Sequence, residues 1–286
     1  MSGKICITGA GGLIGSHICR LLQKSFHGNK HIRIIALTRN QLDLARESEV
    51  RDYFEKLAPQ AVIHCAGLTS NPACEKDPAA ARVLNVGSPR WIFESVPDAW
   101  VCHFSTDLVF DGLVGNYVES DPVSPVGIYA ETKAESELIA STHPAHCIIR
   151  TSLNAGISPT GDRGFNEKLR QAWAAGQELS LFTDEYRCPI AAEWTARIVG
   201  ELMKRKCTGI YHVAGSEKLS RYDIAMFLAA QWPFLEPRLR ASSIRDYTGP
   251  PRSPDCSMDC SKVTRATNLT APGFSEYVSA NPQLLL

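Results

Sequence analysis

The chain has 286 residues, of which 44% are hydrophobic and 21% charged, a composition typical of a globular protein with a large core. Basic and acidic residues number 30 each, so the sequence lacks the basic excess typical of nucleic-acid-binding proteins. Because no stretch approaches the ~20 apolar residues of a membrane helix or resembles a signal peptide, we expect a cytoplasmic protein without membrane or nucleic-acid partners.

Short apolar runs alternate with longer amphipathic segments as far as residue 150, the pattern of a parallel sheet covered by helices on both faces. The predicted strands are 4–8, 32–37, 61–65, 100–105 and 147–150. The predicted helices are 13–25, 48–57, 79–95 and 127–142. Since crossovers between parallel strands are right-handed, we expect an α/β fold with a doubly wound Rossmann sheet.

The pattern loosens after residue 150. We predict helices at 165–175, 193–204 and 220–231, the last with Ser220 as its N-cap, and a strand at 209–213. Little periodicity is visible from Pro250 onward. We expect residues 1–153 to form the Rossmann domain, with its sheet completed by about 187–215. Residues 154–186 and 216–286 then form a smaller lobe over the edge of the sheet where ligands bind.

The ten cysteines are expected to be free thiols in a reducing compartment. Four of them lie in apolar runs that predict buried strands, namely Cys6, Cys65, Cys102 and Cys147. Cys256 and Cys260 have no second Cys/His pair nearby, so we predict no metal site.

A glycine-rich loop connects the first predicted strand to the first predicted helix. It reads Gly9-Ala-Gly11-Gly12-Leu13-Ile14-Gly15. Glycines here permit a tight turn, let a pyrophosphate approach the backbone and let the helix pack closely on the strand. The helix N-terminus presents free N–H groups to the phosphates. In this context the loop predicts a dinucleotide site.

The end of the second strand indicates which dinucleotide binds. An acidic residue there usually accepts hydrogen bonds from the ribose, but this chain has Arg39. A guanidinium pairs bidentately with a 2′-phosphate, which favours NADPH, with NADH as the alternative. Asp43, followed by Leu44, is placed to hydrogen-bond the adenine or the ribose.

A second motif supplies acid–base chemistry. Tyr129 and Lys133 are four residues apart on one face of a predicted helix. A ketone that accepts hydride needs a proton, and a nearby ammonium is expected to lower the pKa of the phenol toward neutrality. Thr106, which follows Ser105 at a strand end, is expected to orient the carbonyl oxygen.

Together these motifs resemble the extended short-chain dehydrogenases/reductases, and among them the dTDP-4-dehydrorhamnose reductase family. The resemblance extends along the chain through Leu42–Leu44, His64–Gly67, Leu84–Val86, Arg150–Ser152, Asp184–Pro189, Pro251–Ser253 and Met258–Lys262. It implies that Thr106, Tyr129 and Lys133 are catalytic and that the substrate is a nucleotide-linked keto sugar.

The resemblance and the motifs divide the remaining site residues into two groups. Those expected to bind NADPH are Gly9, Gly11, Gly12, Leu13, Ile14, Gly15, Arg39, Asp43, Leu44, Cys65, Ala66, Gly67, Ser105, Tyr129 and Lys133. Those expected to face the sugar nucleotide are Thr106, Tyr129, Ser152, Leu153, Phe165, Asn166, Arg187 and Arg252. Arg252 belongs to an arginine group with Arg238, Arg240 and Arg245 that either clamps a diphosphate or forms a solvated face.

Two differences from the residue pattern of the family leave the identity of the sugar undetermined. Leu153 stands where the family has an aromatic residue that stacks on the sugar, and Ile190 replaces a threonine. A related 4-keto sugar, or another carbonyl compound, therefore remains an alternative substrate.

Other functions on the same fold are a sugar-nucleotide epimerase, a dehydratase, and a non-catalytic subunit resembling the methionine adenosyltransferase β subunit. Leu108 follows Thr106-Asp107 where dehydratases have a glutamate, which counts against elimination of water. The intact catalytic trio favours an enzyme. A homodimer is an open expectation, and His64 and His103 are expected to be satisfied core residues.

Overall fold

The computed structural model describes residues 3–281. The strands are β1 (Gly3–Thr8), β2 (Ile32–Leu37), β3 (Ala61–His64), β4 (Trp100–Thr106), β5 (His146–Thr151), β6 (Asn154–Ala155), β7 (Glu178–Phe182), β8 (Tyr186–Arg187), β9 (Ile190–Ala191), β10 (Gly209–Val213), β11 (Leu219–Ser220) and β12 (Arg238–Ser242). The helices are α1 (Leu13–Ser25), α2 (Glu47–Leu57), α3 (Asn71–Lys76), α4 (Pro78–Arg82), α5 (Ser88–Glu94), α6 (Ile128–Ser141), α7 (Phe165–Ala174), α8 (Ala192–Lys204), α9 (Arg221–Gln231), α10 (Ser261–Thr267) and α11 (Phe274–Ala280).

The main sheet has six parallel strands in the order β10-β5-β4-β3-β1-β2. The predicted Rossmann sheet is therefore confirmed, including the late strand β10 beside β5. The chain moves outward from β1 to β2 and then returns to place β3 on the other side of β1. This reversal is the topological switch point, where ligands bind at the carboxyl ends of the strands.

Both faces of the sheet are buried against helices. Successive side chains of a strand point to opposite faces, so each strand contributes to both cores. In β1, Ile5 and Ile7 face a core shared with α1 and α8, whereas Cys6 faces a core shared with α2 and α5. Apolar residues at every position therefore fit β1, and the same reasoning explains why the unbroken apolar runs predict central strands.

The second lobe has its own core around Trp173 and Trp232, whose ring centroids lie 6.0 Å apart. Three two-stranded sheets surround it, pairing β7 with β12, β8 with β11 and β6 with β9. Ser220 caps α9 as predicted, accepting a hydrogen bond from the backbone N–H of Asp223. The domain boundaries remain a prediction.

The structure differs from the sequence prediction at several points. The helix predicted at 79–95 is interrupted by a π-helical turn, Val83–Gly87, between α4 and α5. The short strands β7 and β12 were not predicted, because half-exposed pairs carry a weak apolar pattern. Beyond Pro250 the chain forms α10 and α11, each only seven residues long and thus too short for clear periodicity. Within residues 3–281, no helix is long and apolar enough to cross a membrane.

Candidate active site

The glycine cradle, residues 9–15, turns the chain from β1 into α1. Gly9 has a φ of +66°, a conformation that side chains disfavour, and a Cβ atom on it would lie 2.8 Å from the backbone nitrogen of Ala66. A Cβ atom on Gly15 would lie 2.3 Å from the carbonyl oxygen of Gly9. These two glycines are therefore required by the protein's own packing.

The N-terminus of α1 fits an anionic ligand. Gly12 is the N-cap and supplies no side-chain acceptor, and the first turn contains no acidic residue. A Cβ atom on Gly11 would meet only Thr38, at 4.0 Å, so this part of the cradle is open. Leu13 is buried and Ile14 packs against the core, so their contribution to a ligand would come from the backbone. Uncapped N–H groups beside open space are suited to a pyrophosphate.

The residues predicted to select the cofactor lie after β2. Arg39 is exposed, and within residues 3–281 it forms no ion pair or hydrogen bond. Asp43 accepts a hydrogen bond from the backbone of Ala45, and Leu44 packs against the core. Of Arg39, Asp43 and Leu44, it is therefore Arg39 whose side chain is available to bind a 2′-phosphate.

The loop after β3 completes the cradle at the switch point. Cys65 and Ala66 are partly buried and Gly67 is exposed. The hydroxyl of Thr8 accepts a hydrogen bond from the backbone of Ala66 and contacts His64 Nδ1 at 2.9 Å. The ends of β1 and β3 are thereby held together.

Asn85 is a site residue that sequence reasoning did not assign. It lies in the π-helical turn, and its side chain bonds both backbone groups of Leu68, at 2.7 and 3.0 Å. It also donates to Thr132 Oγ1, at 3.0 Å, on the helix that carries Tyr129. Asn85 therefore ties the cofactor loop to the catalytic helix. The sequence signal that could have identified Asn85 was its position in Leu84–Val86, one of the segments that resemble the reductase family.

The predicted catalytic hydroxyls meet at the end of β4. Thr106 Oγ1 contacts Asp107 Oδ1 at 3.2 Å, and a hydrogen bond to Thr106 favours ionisation of Tyr129. Burial nevertheless dominates and raises the pKa of the Tyr129 phenol. Ser105 is buried beside Thr106, and its hydroxyl has no hydrogen-bond partner within residues 3–281.

Lys133 is buried, and burial lowers its pKa to about 8. Its Nζ lies 3.3 Å from His103 Nε2. The prediction that Lys133 lowers the pKa of Tyr129 is wrong for this arrangement, because burial of the phenol outweighs other effects and the ammonium lies against His103.

The prediction that His64 and His103 are satisfied core residues is half wrong. Both are buried, but within the described chain His64 Nε2 and His103 Nδ1 lack partners.

A second group of side chains, the charged cluster, lies next to Thr106. Asp107 accepts a hydrogen bond from Ser152 Oγ at 2.6 Å and pairs with Arg187 Nε at 3.6 Å. Arg187 also pairs with Glu185 at 3.1 Å, and Glu185 accepts from Arg252 Nε at 2.8 Å. Burial raises the pKa of Asp107, although Arg187 acts in the opposite direction.

Arg221, another residue that sequence reasoning missed, extends this cluster. It begins α9 and lies over the ring of Phe165, 5.9 Å from its centroid. Burial lowers its pKa, with the neighbouring cations Arg187 and Arg252 acting in the same direction. Three guanidinium groups thus share two carboxylates, and this excess of positive charge suits an anionic ligand.

Three other residues predicted to face the substrate differ in burial and in their contacts. Phe165 is partly buried beside Arg221, and Leu153 packs with the core of the second lobe. Asn166 is fully buried and bonds both backbone groups of Gly156, at 3.1 and 3.0 Å. Its amide is thus occupied in holding the loop, so the prediction of direct substrate contact is not supported. Of the four grouped arginines, only Arg252 is part of the charged cluster; the other three are exposed.

All ten cysteines are free. Within residues 3–281, no group of three or more His, Cys, Asp or Glu side chains is arranged to hold a metal ion.

Comparisons with known proteins identify the family of the chain. The family described as the RmlD substrate binding domain matches residues 3–283. Spore coat polysaccharide biosynthesis protein SpsK of Bacillus subtilis is 34% identical, covering 78% of this chain and 77% of its own length. The dTDP-4-dehydrorhamnose reductase of Aggregatibacter actinomycetemcomitans is 30% identical, covering 92% of each chain.

Two further comparisons have lower sequence identity. Methionine adenosyltransferase 2 subunit beta of Rattus norvegicus is 24% identical, covering 92% of this chain and 82% of its own length. The crystal structure of dTDP-4-dehydrorhamnose reductase from Bacillus anthracis in complex with NADP superimposes with a TM-score of 0.87. It is 21% identical and covers 98% of each chain.

Proposed function

The chain belongs to the RmlD substrate-binding-domain family, and we propose that it is an NADPH-dependent reductase of a nucleotide-linked 4-keto-6-deoxy sugar. The observation that carries the proposal is the position of Thr106, Tyr129 and Lys133. All three lie at the carboxyl edge of the sheet that also bears the open glycine cradle. Relatives named as dTDP-4-dehydrorhamnose reductases support the substrate class.

The residues present fit the cofactor. The uncapped start of α1 and the open space at Gly11 would hold the pyrophosphate, and the exposed guanidinium of Arg39 would pair with the 2′-phosphate. Ala66 and Gly67 line the opposite wall. NADPH bound there supplies the hydride.

Tyr129 provides the proton for the carbonyl oxygen. Because burial raises its pKa, the phenol stays protonated at neutral pH and can donate. Thr106 donates a hydrogen bond to the same oxygen and orients it for attack. Lys133, charged below its pKa of about 8, would hydrogen-bond the ribose of bound NADPH and so help to orient the nicotinamide.

The charged cluster receives the anionic part of the substrate. Arg221 and Arg252, both partly exposed, take the diphosphate, while Arg187 is saturated by Asp107, Glu185 and two backbone carbonyls. Arg187 and Ser152 therefore act by holding Asp107 in place. Leu153 offers no aromatic ring at the position where the family stacks one on the sugar, so we propose a 4-keto sugar other than the rhamnose precursor as an equal candidate.

The test is a panel of dTDP- and UDP-linked 4-keto-6-deoxy sugars incubated with the purified protein and NADPH. We expect NADPH oxidation with at least one ketone, and none with the matching 4-hydroxy sugar nucleotides. NADPH binding without oxidation by any member of the panel would contradict the proposal and favour a regulatory subunit.

We also propose that the enzyme works as a homodimer in the cytoplasm. Ten free cysteines are suited to a reducing compartment. Sedimentation equilibrium of the purified protein tests the dimer, and a single species of monomer mass would contradict it.

A further inference from the structure

The helix α6 begins one residue before the proposed proton donor. Ile128 is its first residue and Tyr129 its second, whereas Lys133 lies a turn further along. The N–H groups of the first turn of a helix have no partners within the helix, and helix ends fray. The position of the Tyr129 phenol therefore depends on what holds this end of α6, more than the position of Lys133 does.

The residue before the helix cannot cap it. An N-cap is usually a Ser, Thr, Asp or Asn whose side chain accepts a hydrogen bond from the first turn. Here the N-cap is Gly127, which has no side chain, and its φ of +88° is a conformation that side chains disfavour. The backbone thus requires glycine at this position, and an acceptor must come from another segment.

Glu75 supplies that acceptor. Its Oε1 accepts a hydrogen bond from the backbone N–H of Ile128, at 2.8 Å, although the two residues are 53 positions apart. A Cβ atom on Gly127 would lie 2.9 Å from the same oxygen, so the carboxylate lies directly against the start of α6. The partial positive charge of a helix N-terminus also favours a carboxylate at this place.

Glu75 belongs to α3, the short helix that follows the loop after β3. Its neighbour Cys74 is buried, and the Cys74 thiol donates to the backbone carbonyl of Leu68 in that loop, with 3.4 Å between sulfur and oxygen. The helix α3 is therefore fixed to the loop that is expected to line the cofactor. Glu75 thus connects this loop to the start of the catalytic helix.

A separate contact holds α6 on the other side of Tyr129. Thr132 Oγ1 donates to the backbone carbonyl of Tyr129, at 2.8 Å, and accepts from Asn85, at 3.0 Å. Glu75 therefore holds the backbone before Tyr129, whereas Asn85, through Thr132, holds the carbonyl after it. Loss of Glu75 would release the first turn and leave the turn that carries Lys133 in place.

We propose that Glu75 is a positioning residue, which caps the N-terminus of α6 from α3 and thereby holds the Tyr129 phenol at the carboxyl edge of the sheet. Its effect on turnover rests on the proposed reductase function, whereas its contact with Ile128 does not. Because Lys133 and the glycine cradle lie outside the first turn of α6, Glu75 should affect proton delivery more than cofactor binding.

Amide hydrogen exchange, followed by NMR without substrate or cofactor, tests the contact. The first amide of a helix normally exchanges with solvent, but we expect the Ile128 amide to be protected in the wild type. Glu75→Ala removes the acceptor, so the exchange rate of this amide should rise at least about tenfold. Glu75→Gln keeps an acceptor oxygen and should restore most of the protection. An Ile128 amide that is unprotected in the wild type, or equally protected in Glu75→Ala, would overturn the proposal.

Asp77→Ala is the matched control. Asp77 is an exposed acidic residue in the same segment, and it caps α4 by accepting a hydrogen bond from the backbone N–H of Ala80, at 3.0 Å. Its replacement removes a cap of the same chemistry but leaves Glu75 in contact with Ile128. We expect both variants to lose some stability and only Glu75→Ala to lose the protection of Ile128. An equal loss of that protection in Asp77→Ala would show a general loosening of the segment and overturn the proposal.

Kinetics then test the consequence for turnover. In Glu75→Ala we expect kcat to fall roughly tenfold or more, because a displaced phenol delivers its proton poorly, while KM for NADPH stays within about threefold of wild type. Glu75→Gln should recover most of kcat, and Asp77→Ala should retain it. A low kcat in Glu75→Gln despite a protected Ile128 amide would contradict the positioning role. A protein with a protected Ile128 amide that reduces no ketone would retain this contact and lose only the proposed function.

Discussion

The glycine cradle and the charged cluster lie at the same edge of the sheet but are built differently. The cradle is backbone from one continuous segment, residues 9–15, and its shape follows from the absence of Cβ atoms. The charged cluster consists of side chains from separate segments: Ser152 and Asp107 are 45 residues apart, and Arg252 and Glu185 are 67 apart. One site is therefore encoded locally, whereas the other exists only in the folded chain.

The difference predicts where function and stability can be separated. The start of α1 has no side-chain cap and the space at Gly11 is open, so a change at Gly11 should affect the ligand first. The buried ion pairs of the charged cluster support the fold, so their loss should affect folding as well as substrate binding. The catalytic trio stands between the two regions, and within it the loss of the Tyr129 hydroxyl should affect turnover alone.

The largest effect is expected at Tyr129. Tyr129→Phe removes the proton donor while keeping the ring, so kcat should fall by roughly 10²–10⁴-fold. The dissociation constant of NADPH, measured by fluorescence titration, should stay within about twofold of wild type. Full turnover in this variant would show that another group delivers the proton. Tyr129 would then not belong to the catalytic site between the glycine cradle and the charged cluster.

The next largest effect concerns the charged cluster. Arg187→Met leaves buried Asp107 without its cation, so the free energy of unfolding in urea should fall by about 3–5 kcal/mol. Adding Asp107→Asn should recover part of the loss, because the neutral amide needs no counter-charge. The exposed pair Lys56–Asp52 offers the control, with Asp52→Asn expected to cost less than about 1 kcal/mol. Equal losses for the two pairs would mean that the cluster does not support the fold.

The third prediction separates two roles of glycine within the cradle. Gly15→Ala places a Cβ atom against Gly9 and should lower the free energy of unfolding by about 1–3 kcal/mol. Gly11→Ala has room in the protein and should leave stability nearly unchanged, while weakening NADPH binding through contact with the pyrophosphate. Calorimetry measures both quantities. Equal stability losses would mean that Gly11 is also required by packing.

The sequence predicts the local parts of the molecule well. Buried strands such as β4 and β10 are recognisable because both faces are apolar, and the Tyr129/Lys133 spacing is fixed by helical geometry. The sequence does not reveal the partners of buried side chains. His103 reads as an ordinary apolar-strand residue, and its contact with Lys133 depends on how α6 crosses β4. Arg221 and Asn85 were missed for the same reason.

The smallest effect is expected at Arg39, which lies beyond the cradle and supports neither region. Because its guanidinium is exposed and unpaired within residues 3–281, Arg39→Asp should leave the free energy of unfolding within about 0.5 kcal/mol of wild type. A carboxylate repels the 2′-phosphate and accepts hydrogen bonds from ribose hydroxyls, so the ratio of kcat/KM for NADPH to that for NADH should fall at least about tenfold. Arg39→Gln should give a smaller shift, because it removes the attraction without adding repulsion. If the ratio is unchanged in both variants, the choice of cofactor must depend on groups other than those at the end of β2. Only the pyrophosphate-binding part of the dinucleotide site would then be predictable from one continuous segment of sequence.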